Sequence, residues 1–159
     1  MHGGIEAYLL LGGNTGDPPA TLLRATELVG ERVGEVFARS RDHWTEPQGF
    51  DDHRLFLNVA LGVRTVLAPE HVLHECLAIE AELGRTRQAG AGLGPRPIDI
   101  DLVLYGGLVV EGPSLQVPHP RMAGRRFVLA PLADIAPQAP HPQLGRSVLD
   151  LLLSLPILA

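Results

Sequence analysis

The chain has 159 residues, 45% of them hydrophobic and 19% charged, which excludes a disordered or fibrous chain and predicts a single globular domain over 1–159. The net charge of −5 argues against a surface built for general nucleic-acid binding. No run approaches the length of a membrane span, no basic-then-apolar start reads as a secretion signal, and the one cysteine, Cys76, reads as a packed thiol in a reducing cytosol.

In chain order, Ala7-Tyr8-Leu9-Leu10-Leu11 reads as a buried strand that ends in the glycine-rich turn Gly12-Gly13-Asn14-Thr15-Gly16-Asp17. Asp17 followed by Pro18 marks a helix start, and Leu22, Leu23, Thr26, Leu28 and Val29 predict an apolar stripe to about residue 31. A second strand is predicted over 34–44. From Arg54 a third follows, in which Leu55, Leu57, Val59, Leu61 and Val63 alternate with Phe56, Asn58, Ala60, Gly62 and Arg64. The first set is expected to face the core; Phe56 and Asn58 share the opposite face, which for these two residues taken alone reads as an ordinary exposed strand face.

Ala68-Pro69-Glu70 opens a second helix that is predicted to end at Gly84, with Leu73, Cys76 and Leu77 on one face. Glu80 continues that stripe and leaves two readings open: a carboxylate paired by Arg85 or Arg87, or a solvated rim residue. Residues 97–105 read as a strand, Gly106-Gly107 as a hairpin turn and 108–110 as the return strand. A short helix over 126–135 carries Phe127, Leu129 and Leu132, and Ser147 caps a last one to 153. This order predicts an α+β sandwich with a mostly antiparallel sheet and helices over its faces.

All 13 basic residues are arginine. Six of them (Arg85, Arg87, Arg96, Arg121, Arg125, Arg126) lie between Gly84 and Arg126 against three acids (Asp99, Asp101, Glu111), a window of +3 in a chain of −5. Read alone, such a cluster is a solvated surface. Within it, Ile98-Asp99-Ile100-Asp101-Leu102 puts both aspartates on one strand face, about 6.6 Å apart along the strand, where they can flank a shared cation or pair of cations. Hard oxygen donors without a nearby cysteine favour magnesium over zinc, although a lone Asp-x-Asp is more often the polar face of an edge strand. Carboxylates side by side repel, which solvent, a metal or arginines relieve.

The segment just upstream, 84–96, is rich in glycine and arginine and poor in apolar residues, so it is expected to be mobile and able to close on a ligand. Arginines on a closing loop opposite carboxylates that hold magnesium are the arrangement expected for phosphoryl or pyrophosphoryl transfer. A Gly-x-x-x-x-Gly-Lys-Ser/Thr loop is absent, Gly12-Gly13-Asn14 is too short a match for a dinucleotide fingerprint, and His71 and His74 read as surface residues.

Several of these motifs recur together: Gly12-Gly13-Asn14, Leu57-Asn58, Glu80 with Gly84-Arg85, Gly94-Pro95-Arg96-Pro97-Ile98-Asp99-Ile100-Asp101, Val117-Pro118-His119-Pro120-Arg121-Met122 and Arg126-Phe127-Val128-Leu129-Ala130-Pro131-Leu132. In this order and spacing they resemble the 6-hydroxymethyl-7,8-dihydropterin pyrophosphokinases of folate biosynthesis, over nearly the whole chain. The departures are Gly13 in place of a serine, Leu93 near a loop position where some members carry tryptophan, a loop one residue longer, and Leu77 where relatives have a polar residue.

The resemblance implies a ferredoxin-like α+β sandwich with additional elements, and transfer of the terminal pyrophosphoryl group of ATP to the pterin hydroxymethyl oxygen, leaving AMP. It implies Asp99 and Asp101 as ligands of two Mg2+ ions, Arg85 and Arg96 as catalytic groups on the polyphosphate with Arg87 beside them, and His119, Arg121 and Arg125 on the ATP side. Phe56 and Phe127 would stack on the pterin, Asn58 would read its edge, and Thr45, Glu46 and Gln48 would line it with backbone contacts. It also implies a cytosolic monomer whose partners are ATP and the pterin, with no nucleic acid and no membrane. From the residues alone two other readings stay open: another Asp-x-Asp metal-dependent nucleotidyltransferase, and a non-enzymatic ferredoxin-like ligand-binding module.

Overall fold

The computed structural model describes residues 3–47, 54–84 and 97–157. Four long strands form one antiparallel sheet in the order β2 (Glu35–Arg39), β4 (Phe56–Thr65), β1 (Ile5–Gly13), β5 (Asp99–Tyr105), and the short β3 (His43–Thr45) also pairs with β4. With α1 (Pro18–Arg32) after β1 and α2 (Pro69–Glu82) after β4, the sequence of elements is the βαββαβ of a ferredoxin-like sandwich. The additional elements follow it: a ribbon of β6 (Val110–Glu111) and β7 (Gln116–Val117), then α3 (Arg126–Ile135) and α4 (Val148–Leu153).

Local chemistry sets the helix ends. The Asp17 carboxylate accepts the Ala20 N–H at 3.2 Å, and prolines occupy the first turn of α1, where no backbone donor is needed. Ser147 does the same for α4 through the Asp150 N–H at 3.0 Å. Beyond α1 the chain turns so close to β4 that a Cβ on Gly34 would lie 2.2 Å from the Arg64 carbonyl oxygen, so only glycine fits there.

Strand alternation divides the apolar residues into two cores. Leu57, Val59, Leu61 and Val63 of β4 join Leu9, Leu11, Ile100 and Leu102 beneath α1 and α2, where Leu22, Leu28, Val72, Cys76 and Ile79 complete the packing. On the opposite face Tyr8, Leu10 and Ala60 pack against Val128, Leu129 and Leu132 of α3 and Leu151 of α4. Each such side chain contributes about 1.5–3 kcal/mol when taken out of water. Of the second set of β4 residues, Asn58, Ala60 and Gly62 are buried, Phe56 is half-buried and Arg64 stays partly exposed.

Several expectations need correction. The strand predicted over 34–44 is two strands, because Ser40 intervenes: its N–H donates to the Ala60 carbonyl and its Oγ accepts the Ala60 N–H, both at 2.9 Å, so a side chain replaces one ladder bond. The segment 108–110 does not return along β5. After Gly106, at φ +52°, Leu108 and Val109 are exposed, and Val110 pairs with Val117 instead. Leu23, Leu55 and Leu77 are exposed, and the buried stripe of α2 is Val72, Cys76, Ile79 and Glu80. Finally, β1 extends through Gly12 and Gly13, which are strand residues, so the turn begins at Asn14.

Candidate active site

One row across the sheet carries much of the chemistry. In the ladder register Gly12 of β1 stands opposite Asn58 of β4 on one side and Asp99 of β5 on the other, so all three face the α3 side of the sheet. The next residue on that face, Leu10, stands opposite Asp101. Both aspartates thus share one face, as the alternation predicts, while Ile98, Ile100 and Leu102 are buried in the first core.

Gly12 is the floor between the two ends of this row. A Cβ there would lie 2.9 Å from Cε1 of Phe56 and 3.5 Å from Oδ1 of Asn58, so an aromatic ring and an amide oxygen converge over bare backbone. Asn58 is 3% exposed, and its Nδ2 donates to Thr45 Oγ1 at 2.9 Å and to the His43 carbonyl at 3.3 Å. With the donor turned to β3, the amide presents its oxygen, an acceptor, toward the Gly12 side.

β5 lies at the edge of the sheet, and its outer side is occupied at two points. The Glu80 carboxylate, 1% exposed, accepts the N–H of Ile100 at 2.6 Å, and the Val103 carbonyl accepts the N–H of His119 at 2.9 Å. Glu80 therefore is no rim residue. It holds the backbone of the residue between the two aspartates through a charge-assisted hydrogen bond, while its expected partners Arg85 and Arg87 lie outside the described residues. Cys76, one turn away on α2, is buried, and burial with the Glu80 charge pushes its thiol up to about 12, so it is an inert packed thiol.

The segment after β7 brings cationic groups to the aspartates. His119 is held below the usual histidine value by burial, then by Arg125 and Arg121, against the pull of Asp99. Its Nδ1 accepts the Arg121 backbone N–H at 3.3 Å, so the neutral ring carries its proton on Nε2. Burial and Arg121 lower Arg125, which Asp101 opposes, and its guanidinium lies 5.4 Å from the centre of the Phe127 ring. Phe127 opens α3, on the same sheet face as Asn58 and Asp99.

Of the residues singled out from the sequence, the fold gathers Thr45, Phe56, Asn58, Asp99, Asp101, His119, Arg121, Arg125 and Phe127 around that face. Glu46 follows Thr45 directly and is exposed. Gln48, Arg85, Arg87, Leu93 and Arg96 lie outside the described residues. Sequence reasoning did not find the ion cluster in which Arg41 and His43 meet Asp134, since the partners are more than 90 residues apart. Among the described residues no group of three or more His, Cys, Asp or Glu forms a metal cluster. A pair of half-buried carboxylates on one strand face is the donor set of a hard cation that takes its other ligands from water or phosphate.

An antiparallel α+β sandwich here sets a carboxylate pair beside arginines and an aromatic-amide cleft, the combination a small-molecule group-transfer enzyme requires. A family model described as 7,8-dihydro-6-hydroxymethylpterin-pyrophosphokinase matches residues 8–137, and the chain belongs to that family. A 2-amino-4-hydroxy-6-hydroxymethyldihydropteridine pyrophosphokinase of Porphyromonas gingivalis is 44% identical over 86% of this chain and 97% of its own length. Its counterpart in Methylorubrum extorquens is 47% identical over 83% of each chain. Among solved structures, an HPPK-DHPS crystal structure in complex with substrates superposes with a TM-score of 0.77 at 14% identity, over 95% of this chain. The Plasmodium falciparum HPPK-DHPS with pteroate gives 0.75 at 16%. The chain spans less than half of those longer proteins, 43% and 42%, and at such identity the likeness concerns the fold.

Proposed function

We propose that this chain moves the terminal pyrophosphoryl group of ATP onto the hydroxymethyl oxygen of 6-hydroxymethyl-7,8-dihydropterin and releases AMP. The observation that carries this is the single sheet row Asn58, Gly12, Asp99, in which an amide acceptor, a bare floor and a carboxylate stand side by side. A flat heterocycle stacked on the Phe56 ring, which itself covers Gly12, meets the Asn58 oxygen with its amino and imino donors, and its substituent points to the aspartates. Phe56 and Phe127 supply the stacking surfaces, and Thr45, Glu46 and Gln48 the adjoining backbone. The runner-up classes, a different nucleotidyltransferase and a non-enzymatic module, account for neither this cleft nor the family match.

Asp99 and Asp101 are the residues that would hold two Mg2+ ions. Held there, the ions would supply charge neutralisation to the phosphates and so ease the approach of the incoming oxygen. His119 offers its Nε2 proton to a phosphate oxygen, Arg121 and Arg125 hold the triphosphate, and Arg85, Arg87 and Arg96 clamp the polyphosphate as charge shifts to the leaving AMP. The hydroxymethyl oxygen bonds to the β-phosphorus as the bond from that phosphorus to the α–β bridging oxygen breaks; the bridging oxygen leaves with AMP, the hydroxyl proton passes to solvent, and no covalent enzyme intermediate forms. We further propose that the chain acts as one domain and as a cytosolic monomer. Among the described residues no helix is long and apolar enough to cross a membrane.

The test is incubation of the chain with magnesium, ATP and the pterin, followed by separation of the nucleotides. Pterin-dependent AMP supports the proposal. ADP in its place, or no turnover by folded protein, overturns it.

A further inference from the structure

Asn58 presents its acceptor to the cleft because β3 holds its donor, yet β3 has three residues and, among the described residues, pairs with β4 alone. Its second anchor comes from the other end of the chain. Asp134, near the end of α3, meets His43 Nε2 at 2.8 Å. It also accepts from the Arg41 backbone N–H at 3.1 Å, from Nε at 3.2 Å and from Nη2 at 3.0 Å. The Arg41 guanidinium, helped by His43 and opposed by desolvation, brings the Asp134 carboxyl down to about 2, so it is ionised and accepts the His43 proton. Phe127 lies two turns earlier on the same helix, with the buried Pro131 between them, so one helix bears both an aromatic wall and the anchor of the opposite wall.

We propose that His43 and Asp134 are positioning residues for the heterocycle: their contact ties β3 to α3 and so fixes the Asn58 oxygen relative to the Phe127 ring. Neither touches substrate. The inference rests on the pterin reading above, and it makes Asp134 a determinant of pterin affinity and not of ATP affinity. His43 contributes twice, through its ring to Asp134 and through its carbonyl to Asn58.

The experiment is steady-state kinetics of the full chain with each substrate varied in turn, for His43→Ala, Asp134→Ala, the double variant and His43→Gln, whose amide N–H can reach the same carboxylate. Loss of one charged hydrogen bond should raise the pterin KM about 10-fold in each alanine single variant. The ATP KM should stay within about two-fold, and kcat should change less than the pterin KM. The double variant should be no worse than either single one, and His43→Gln should recover most of the loss. If Asp134→Ala fails to fold, His43→Ala leaves the Arg41–Asp134 pair in place and carries the test. The proposal is overturned if the two KM values move together, or if neither moves while the thermal midpoint falls, since the cluster then only holds the fold. Wild-type protein that yields no pterin-dependent AMP shows, before any variant is made, that the functional reading itself is wrong, and the inference falls with it.

Discussion

The two faces of the sheet are built from the same strands and do different work. Under α1 and α2 the alternating leucines, valines and isoleucines form one buried core, and Glu80, the buried carboxylate there, accepts the backbone N–H of Ile100. Under α3 and α4 the apolar packing covers only part of the face, from Tyr8 and Ala60 to Leu132. Where it stops, at Asn58, Gly12, Asp99 and Asp101, the same alternation delivers polar groups to a cleft. A strand with period two can thus serve a closed core with one set of residues and a reaction with the other, and the site is found where the second core runs out.

The largest expected break of that contrast is on the cleft side. Asp99→Asn or Asp101→Asn should lower kcat by about 10³-fold or more while the chain still folds, because each removes a charge that acts on the reacting phosphates. Pterin-dependent AMP release and a melting curve on the same sample check both halves; a fall in stability instead would make the pair structural. The mirror image is Leu61→Ala in the closed core. It should cost about 2–5 kcal/mol of stability in urea unfolding, with kcat per folded molecule little changed.

Between these lies Gly12→Ala. The new Cβ meets the Phe56 ring at 2.9 Å, so the ring must move, and a stability cost of about 1–3 kcal/mol is expected together with a raised pterin KM. An unchanged KM would remove Gly12 from the floor of the cleft. The smallest effect concerns pH. His119 titrates below its ordinary 6.5 in the folded chain, so the unfolded chain takes up the proton first as pH falls. Stability is therefore flat above about pH 6.5 and declines below it toward the folded value. His141 is shifted the same way, so the quantity to measure is the difference in urea midpoint between pH 7.5 and 5.5 for wild type against His119→Gln. The variant should lose less.

Much of this was legible in the sequence where a short stretch determines its own structure. The Asp17-Pro18 helix start, the alternation from Leu57 to Val63, the Ser147 cap and the shared face of Asp99 and Asp101 all depend on local geometry. The motifs around Asp99 also carried the family. What escaped depends on partners far along the chain. Ser40 ends β2 because its hydroxyl finds the Ala60 N–H, Glu80 is buried because Ile100 offers a donor, and Asp134 gathers Arg41 and His43 across more than 90 residues. The supposed return strand at 108–110 failed for the opposite reason: a glycine turn bends the chain, but only a partner makes the next segment a strand.

The two plugs on the outer side of β5 have a bearing on solubility. An outermost strand normally offers its free N–H and C=O groups to any passing polypeptide, and chains that leave such a template open tend to stack into fibrils. Here Glu80 takes the Ile100 N–H and His119 takes the Val103 carbonyl, so the strand that bears both aspartates offers a stranger few places to add. Two backbone groups of the outermost strand are thus engaged from within the chain itself, which leaves fewer of them to template a further strand.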